Sequence, residues 1–295
     1  MNLYHLRVFL TVAEHEHITR ASEELYLSQP AVTKIIQHLE QETGLELIER
    51  HGRRIVMTGA GKILHGYARR IFALEREMED SLAVLRDAGV GEIHLAANTT
   101  MGVYLLPPVV ARFRERYPKV DLNIIILNSH EIIEQILNWG VDFGLVEGDP
   151  ASLPPELTAE VFTQDELILV VASSHPWSGL ADLSPAALGD GVLLLREKGS
   201  GIRETIENIF RDHSVRIQPL LTLPDNEAIK QMVMNGVGAA IVSALAVQRE
   251  IAGGDLVRIP ISGVELRPQL SLVRRTDKHI SRAAEAFCAL LRGGV

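Results

Sequence analysis

Between Ser28 and Gln41, one lysine, three glutamines, a threonine and a serine share one side of a helical pattern. Val32, Ile35, Ile36 and Leu39 recur at helical spacing and mark the buried side. The same wheel places Pro30, Lys34, Gln37 and Gln41 opposite them, Thr33 and His38 on the flanks, and Gln29 at the exposed start. This set suits the edges of base pairs. Lysine donates to guanine O6 and N7, glutamine can pair with adenine, and a threonine methyl can touch the thymine methyl. Ser28 is a good N-cap, Pro30 falls in the first turn where its missing N–H costs little, and free N–H groups at a helix start suit a phosphate oxygen. Taken alone, such a face is an ordinary solvated one. Its neighbours carry the argument.

Upstream, Leu6, Phe9, Leu10 and Ala13 mark one helix, and Ile18, Ala21 and Leu25 a second. Tyr26-Leu27-Ser28 reads as the turn into the third, and Gly44 can end it. Leu47 to Thr58 reads as two short extended pieces around His51-Gly52-Arg53-Arg54, a hairpin with a basic tip. The chain has 295 residues and a net charge of −9, yet Arg50, Arg53, Arg54, Lys62, Arg69 and Arg70 form a stretch with no acidic residue. A local basic strip is the footprint that nucleic-acid contact requires. Together these elements imply a winged helix-turn-helix, mainly α, over residues 1–58.

Residues 59–88 form one long amphipathic segment. Leu64, Ile71, Met78 and Leu85 are spaced by seven, with Tyr67 and Leu74 between, as in a coiled-coil seam. An isolated helix with such a stripe is marginal in water, so a homodimer through this segment is expected. Gly89-Val90-Gly91 then reads as a hinge.

Residues 18–58 resemble the N-terminal domain of LysR-type transcriptional regulators. The resemblance rests on the Ala21-Ser22-x-x-Leu25 helix, Ser28-Gln29-Pro30-Ala31-Val32, Leu39-Glu40, Gly44, Leu47-x-Glu49-Arg50 and Thr58-x-x-Gly61. Thr33-Lys34 stands where the family more often has Ser-Arg, so a bidentate base contact is not carried over. The resemblance implies that Gln29, Pro30, Thr33 and Lys34 lie in the major groove of a partly palindromic operator, and that Arg53 and Arg54 form a wing on the DNA backbone or minor groove. It further implies a homotetramer, RNA polymerase as a possible partner, and a two-lobed effector domain like periplasmic binding proteins. The DNA-binding set is then Ser28, Gln29, Pro30, Thr33, Lys34, Gln37, Arg50, Arg53 and Arg54.

Beyond residue 92, apolar β-type runs at Ile93–Ala97, Leu122–Leu127, Phe143–Val146, Leu167–Ala172, Val192–Leu195, Pro219–Leu223, Ala239–Val242, Leu256–Ile259 and Gln269–Val273 alternate with helical patterns. This predicts α/β architecture with mostly parallel strands. The effector domain would span residues 89–295, with lobe 1 about 90–162 and 267–295, and lobe 2 about 163–266. In open α/β sheets, ligands sit beyond the carboxyl ends of strands, near helix starts. Those positions carry Asn98-Thr99-Thr100, Asn128-Ser129, Glu147, Ser200, Arg203 and Asn226. Helix starts rich in small polar residues, with an arginine, favour a small anion. Each of these residues alone could be a simple helix cap, and Glu147 complicates an anionic pocket because it could instead hold an ammonium group or pair with an arginine. The segment Leu195 to Glu204 resembles the subgroup linked to sulfur or inorganic-carbon assimilation, which suggests sulfite, sulfate, phosphorylated sugars or small carboxylates.

Other chemistry is not supported. Gly199-Ser200-Gly201 is no nucleophile elbow, and Gly236-Val237-Gly238 no dinucleotide fingerprint. His15 and His17 cannot share a helix face as metal ligands, and His5 has no cluster near it in sequence, so no metal, cofactor or catalytic residue is expected. Cys288 falls in the apolar pattern of a final helix, as a core residue. A single cysteine, no leader-like start and no apolar run of about 18 residues point to the cytoplasm and away from a membrane. The alternatives are an effector-independent DNA-binding protein and an enzyme with an appended DNA-binding domain.

Overall fold

The computed structural model describes residues 1–52, 54–86, 91–189 and 193–293. It divides into two compact units, residues 1–79 with 138–140, and residues 80–137 with 141 onward.

The first unit contains α1 (Leu3–His15), α2 (Ile18–Glu24), α3 (Gln29–Thr43), the strands β1 (Ile48–His51) and β2 (Arg54–Met57), and most of α4 (Gly59–Arg86). Leu6, Phe9, Val12, Ala21, Val32, Ile36 and Leu39 pack with Leu47, Ile55, Ala68 and Phe72 in one core, and Ile35 sits at its edge. α3 starts where Ser28 Oγ accepts from the Ala31 N–H at 3.3 Å. It ends at Gly44, whose φ of +69° lets its N–H turn back to the Glu40 carbonyl. Thr58 Oγ1 accepts from the Gly61 N–H at 3.0 Å and donates to the Glu46 carbonyl at 2.6 Å. A Cβ on Gly61 would lie 2.0 Å from the Leu47 carbonyl oxygen. The spacing Thr58-x-x-Gly61 is thus a cap followed by the one residue small enough to pass the hairpin backbone.

The structure corrects the seam read from α4. Leu64, with Ala60, Ala68 and Phe72, faces the core of the first unit. The exposed apolar stripe is Ile63, Tyr67, Ile71, Leu74, Met78 and Leu82. The seven-residue spacing mixed the two faces, because this helix is apolar on both. The side chain of Leu85 and the residues Gly89 and Val90 lie outside the described residues; Gly91 opens a strand.

In the second unit, the elements in chain order are β3 (Gly91–Ala97), a π-helical turn (Met101–Leu105), α5 (Leu106–Arg116), β4 (Val120–Ile126), α6 (Ser129–Leu137), β5 (Phe143–Glu147), β6 (Leu157–Gln164), β7 (Leu167–Ala172), β8 (Leu193–Arg196), α7 (Gly201–Asp212), β9 (Pro219–Leu223), α8 (Asn226–Met234), β10 (Ala239–Ser243), α9 (Gln248–Gly253), β11 (Leu256–Ile259), β12 (Gln269–Arg275) and α10 (Arg282–Arg292). They build two five-stranded sheets, β4-β3-β5-β12-β6 and β11-β7-β10-β8-β9. The chain passes from the first sheet to the second after β6 and returns between β11 and β12.

Strand direction differs from the expectation. β4, β3 and β5 are parallel, as are β10, β8 and β9, but β12 runs antiparallel to β5 and β6, and β7 antiparallel to β10 and β11. The antiparallel strands flank the two passages between sheets, where no helical crossover reverses the chain. Each sheet is covered on both faces. Phe113, Phe143 and Phe287 pack on one side of the first sheet, and Ile132, Ile136 and Val273 on the other. Cys288 is buried in the first of these cores, and burial pushes its thiol up to about 12, which suits a core residue. No described helix is long and apolar enough to cross a membrane.

Candidate DNA interface and effector cleft

α3 exposes Ser28, Gln29, Pro30, Lys34 and Gln37, together with His38 and Gln41, while Thr33 is half-buried. Arg50 Nη2 donates to Thr33 Oγ1 at 3.3 Å, which places a guanidinium from the hairpin beside the polar face of α3. Arg54 is engaged differently. Its Nη2 lies 2.6 Å from Glu16 Oε2, so its charge is shared with a carboxylate. Arg69 lies 3.6 Å from Glu14, and Arg53 is outside the described residues. The basic strip is therefore narrower in space than in sequence. We expect Arg50→Ala to weaken binding to all DNA sequences alike and to reduce the salt slope of binding by about one unit, with a smaller change for Arg54→Ala. Titrations at several salt concentrations check this; an unchanged slope for Arg50→Ala removes it from the phosphate contacts.

In the second unit, the residues expected around a ligand separate into three groups. Asn98 and Asn128 act as caps: Asn98 Oδ1 accepts from the Met101 N–H at 2.9 Å, and Asn128 Oδ1 from the Glu131 N–H at 3.0 Å. The structure redirects Arg203. Its Nε donates to Glu207 Oε1 at 2.7 Å and its Nη1 to the Arg196 carbonyl at 2.9 Å. It lines a cavity of about 730 Å³ with Lys198, Arg211 and Arg216, none of which was expected at the ligand site. Buried in the first turn of α7, its guanidinium is held by its i,i+4 partner Glu207 and by the Arg196 carbonyl.

The third group meets between the two sheets. Asn226 Nδ2 donates to Thr100 Oγ1 at 3.3 Å, joining the start of α8 to the end of β3. The His130 N–H donates to the Gly199 carbonyl at 3.0 Å. The α7 start is so close to β5 that a Cβ on Gly201 would lie 2.1 Å from the Glu147 carbonyl oxygen and 2.9 Å from Ser129 Oγ. Thr100, Glu147, Ser200 and Asn226 are buried here, with Thr99 and Ser129 half-buried. A second cavity, about 550 Å³, opens on Ser129, His130, Glu147, Glu204 and Ser271.

Glu147 is fully enclosed. Asn98 Nδ2 donates to its Oε2 at 3.2 Å, while its Oε1 has no hydrogen-bond partner among the described residues. Burial pushes its carboxyl up to about 8, the Asp165 carboxylate pushes the same way, and Asn98 and the Arg196 charge pull it back in part. Burial raises Asp165 as well. At neutral pH Glu147 is mostly a neutral acid, so it does not repel an anion. Its arginine neighbour acts through charge and not through a hydrogen bond.

Sequence reasoning missed Arg196, Asp165 and Ser271. Arg196 donates to Glu197 through Nε and Nη2 at 2.8 and 3.0 Å, and to Asn226 Oδ1 through Nη1 at 2.9 Å. It ends β8, so the rule about carboxyl ends of strands could have found it. Asp165 follows β6, a strand the apolar pattern did not reveal. Ser271 lies within β12 as a buried hydroxyl without a partner among the described residues, and no local signal marks it. His5 is a further correction: the packing of α1 on α3 brings His38 and Glu42 to it.

Comparison with known proteins supports both halves. Residues 3–62 match the bacterial regulatory helix-turn-helix protein, lysR family, and residues 86–295 match the LysR substrate binding domain. The RuBisCO operon transcriptional regulator of Allochromatium vinosum is 35% identical over 287 residues, covering 97% of this chain and 94% of that one. The regulatory domain of CcmR from Synechocystis PCC6803, solved in complex with 2-PG, is 27% identical with a TM-score of 0.62, covering 68% of this chain and 96% of that one. Full-length CbnR complexed with its target DNA shares the fold over the whole of both chains, at 24% identity and a TM-score of 0.70. The chain belongs to the LysR family of bacterial helix-turn-helix transcriptional regulators, a DNA-binding protein with an effector domain and not an enzyme.

Proposed function

We propose that this regulator, acting in the cytoplasm, senses a small anionic metabolite between the two sheets of residues 89–295 and reads its operator through α3. The observation that carries the sensing half is the meeting of Thr100, Glu147, Ser200 and Asn226 from both sheets around the starts of α7 and α8. Helix starts supply N–H donors and positive dipole ends, and a protonated Glu147 adds a donor. The 2-PG complex of CcmR makes a small anion the first class to test. A calorimetric screen of 2-PG, phosphoglycerate, phosphoenolpyruvate, sulfite, sulfate and O-acetylserine tests the reading. Saturable binding of one anion that changes operator affinity supports it. A silent screen with folded protein favours an effector-independent regulator.

On the DNA side, the proposed contacts are Ser28, Gln29, Pro30, Thr33, Lys34 and Gln37 from α3, with Arg50, Arg53 and Arg54 from the hairpin. Two copies pair through the stripe of α4, whose six apolar side chains are exposed among the described residues. Further pairing into a tetramer, and contact with RNA polymerase, follow the family pattern. Lys34→Ala is expected to relax base preference at one operator position, at a cost of about 1–3 kcal/mol there. Competition binding against single-base operator variants measures this. Equal weakening on every sequence would place Lys34 on the backbone instead.

A further inference from the structure

We propose that His5, His38 and Glu42 form a site for a divalent transition metal of the zinc class, which clips α1 to the reading helix α3. One ligand-type atom from each of the three side chains lies within 4.8 Å of the other two. The placement follows from the fold. His38 and Glu42 stand one turn apart on α3, and so point the same way. His5 stands in the first turns of α1, which packs on α3 through Leu6, Phe9, Val32, Ile36 and Leu39. The two imidazoles meet edge to face, with centroids 5.1 Å apart and planes at 88°.

Two imidazole nitrogens and one carboxylate oxygen form a ligand set that suits zinc, cobalt, nickel or copper and not calcium or magnesium, which prefer all-oxygen shells. Bonds of about 2.0–2.2 Å in a tetrahedral site set ligand atoms roughly 3.4 Å apart. Closing from the present separation takes modest rotations of His38 and Glu42, both of which are exposed. A second observation points the same way. His5 Nδ1 is buried and has no hydrogen-bond partner among the described residues. A buried nitrogen without a partner is costly, and coordination to a metal would use its lone pair. Glu42 also lies 3.5 Å from the Met1 amine, an exposed contact that a metal can displace. Three protein ligands leave one tetrahedral position for water or another donor.

The test uses the full chain, stripped of metal with a chelator. Zinc chloride is titrated by calorimetry, and cobalt(II) chloride by visible absorption. The expected result is one tight equivalent per chain and a cobalt d–d band. His38→Ala and Glu42→Gln should each weaken zinc binding by about tenfold or more and reduce the band. Both residues are exposed, and melting in chelator shows whether each variant is folded. Zinc should also raise the melting temperature of the native chain more than that of either variant. Binding that persists undiminished in both variants would come from some of the other histidines among the 11 in the chain, and would overturn the site. Absence of saturable binding below about 1 mM would overturn it equally.

Discussion

Gly201→Ala is expected to abolish the effector response while leaving operator recognition by α3 in place. The added methyl meets the Glu147 carbonyl oxygen at 2.1 Å and its carbon at 2.9 Å. These are backbone atoms of the other sheet, so neither can swing aside. Relief requires the start of α7 to withdraw from the end of β5. Forced overpacking of this kind costs about 1–3 kcal/mol or more. Helix propensity alone argues for the opposite sign, since alanine is better than glycine by about 1 kcal/mol within a helix. The sign of the change in melting temperature therefore decides between a propensity effect and a steric one. Calorimetric melting together with effector titration reads both. A variant that melts higher and keeps full effector affinity would show that the close approach of α7 to β5 plays no part in sensing.

Glu147→Gln is expected to remove a loss of stability that the native chain suffers between about pH 4.5 and pH 8. In the folded chain this carboxyl is pushed up to about 8, against 4.5 for the free group. Between those values the folded state holds a proton that the unfolded state has lost. Stability from this group is then complete below about pH 4.5 and is lost as pH rises through about 8. At about 1.4 kcal/mol per unit, the loss amounts to a few kcal/mol. Glutamine keeps the shape and offers a neutral amide at every pH. Melting temperatures of the native chain should fall relative to the variant between about pH 5 and pH 8 and run parallel to it above that. Parallel curves across that range would mean that Glu147 titrates normally. Anion affinity should fall as pH rises through about 8, because an ionised Glu147 would repel the ligand.

The first unit was legible because each element announces itself. Ser28, Pro30 and Gly44 bound α3, and Val32, Ile36 and Leu39 mark its inner face. What escaped there was tertiary: the Arg54–Glu16 pair and the His5–His38–Glu42 group join residues from separate elements. In the second unit, buried strands such as β5 and β7 read as apolar runs because both faces are covered. β6 did not, since it lies at a sheet edge and buries little besides Leu157. Missing it hid the antiparallel pairing and Asp165 together. At the proposed ligand site, Thr100 and Asn226 follow from strand ends, but the partners of Arg203 do not. Which groups a buried arginine at a helix start engages depends on the acceptors within its reach, and Glu207 and the Arg196 carbonyl hold this one.

α4 contributes Ala68 and Phe72 to the core of the reading unit while showing the opposite apolar stripe to solvent. Arg7 also reaches it, through an ion pair with Glu75 and a stacked contact over Phe72 at 4.2 Å. The helix that pairs is thus a structural part of the unit that reads, and not a tether to it. Two paired copies would hold their α3 helices at a fixed rotational phase about the DNA axis. Adding five base pairs between half-sites turns the second one by roughly half a revolution, out of phase with its reader, whereas ten restores it. Operator affinity should therefore oscillate with spacer length, with the periodicity of the double helix.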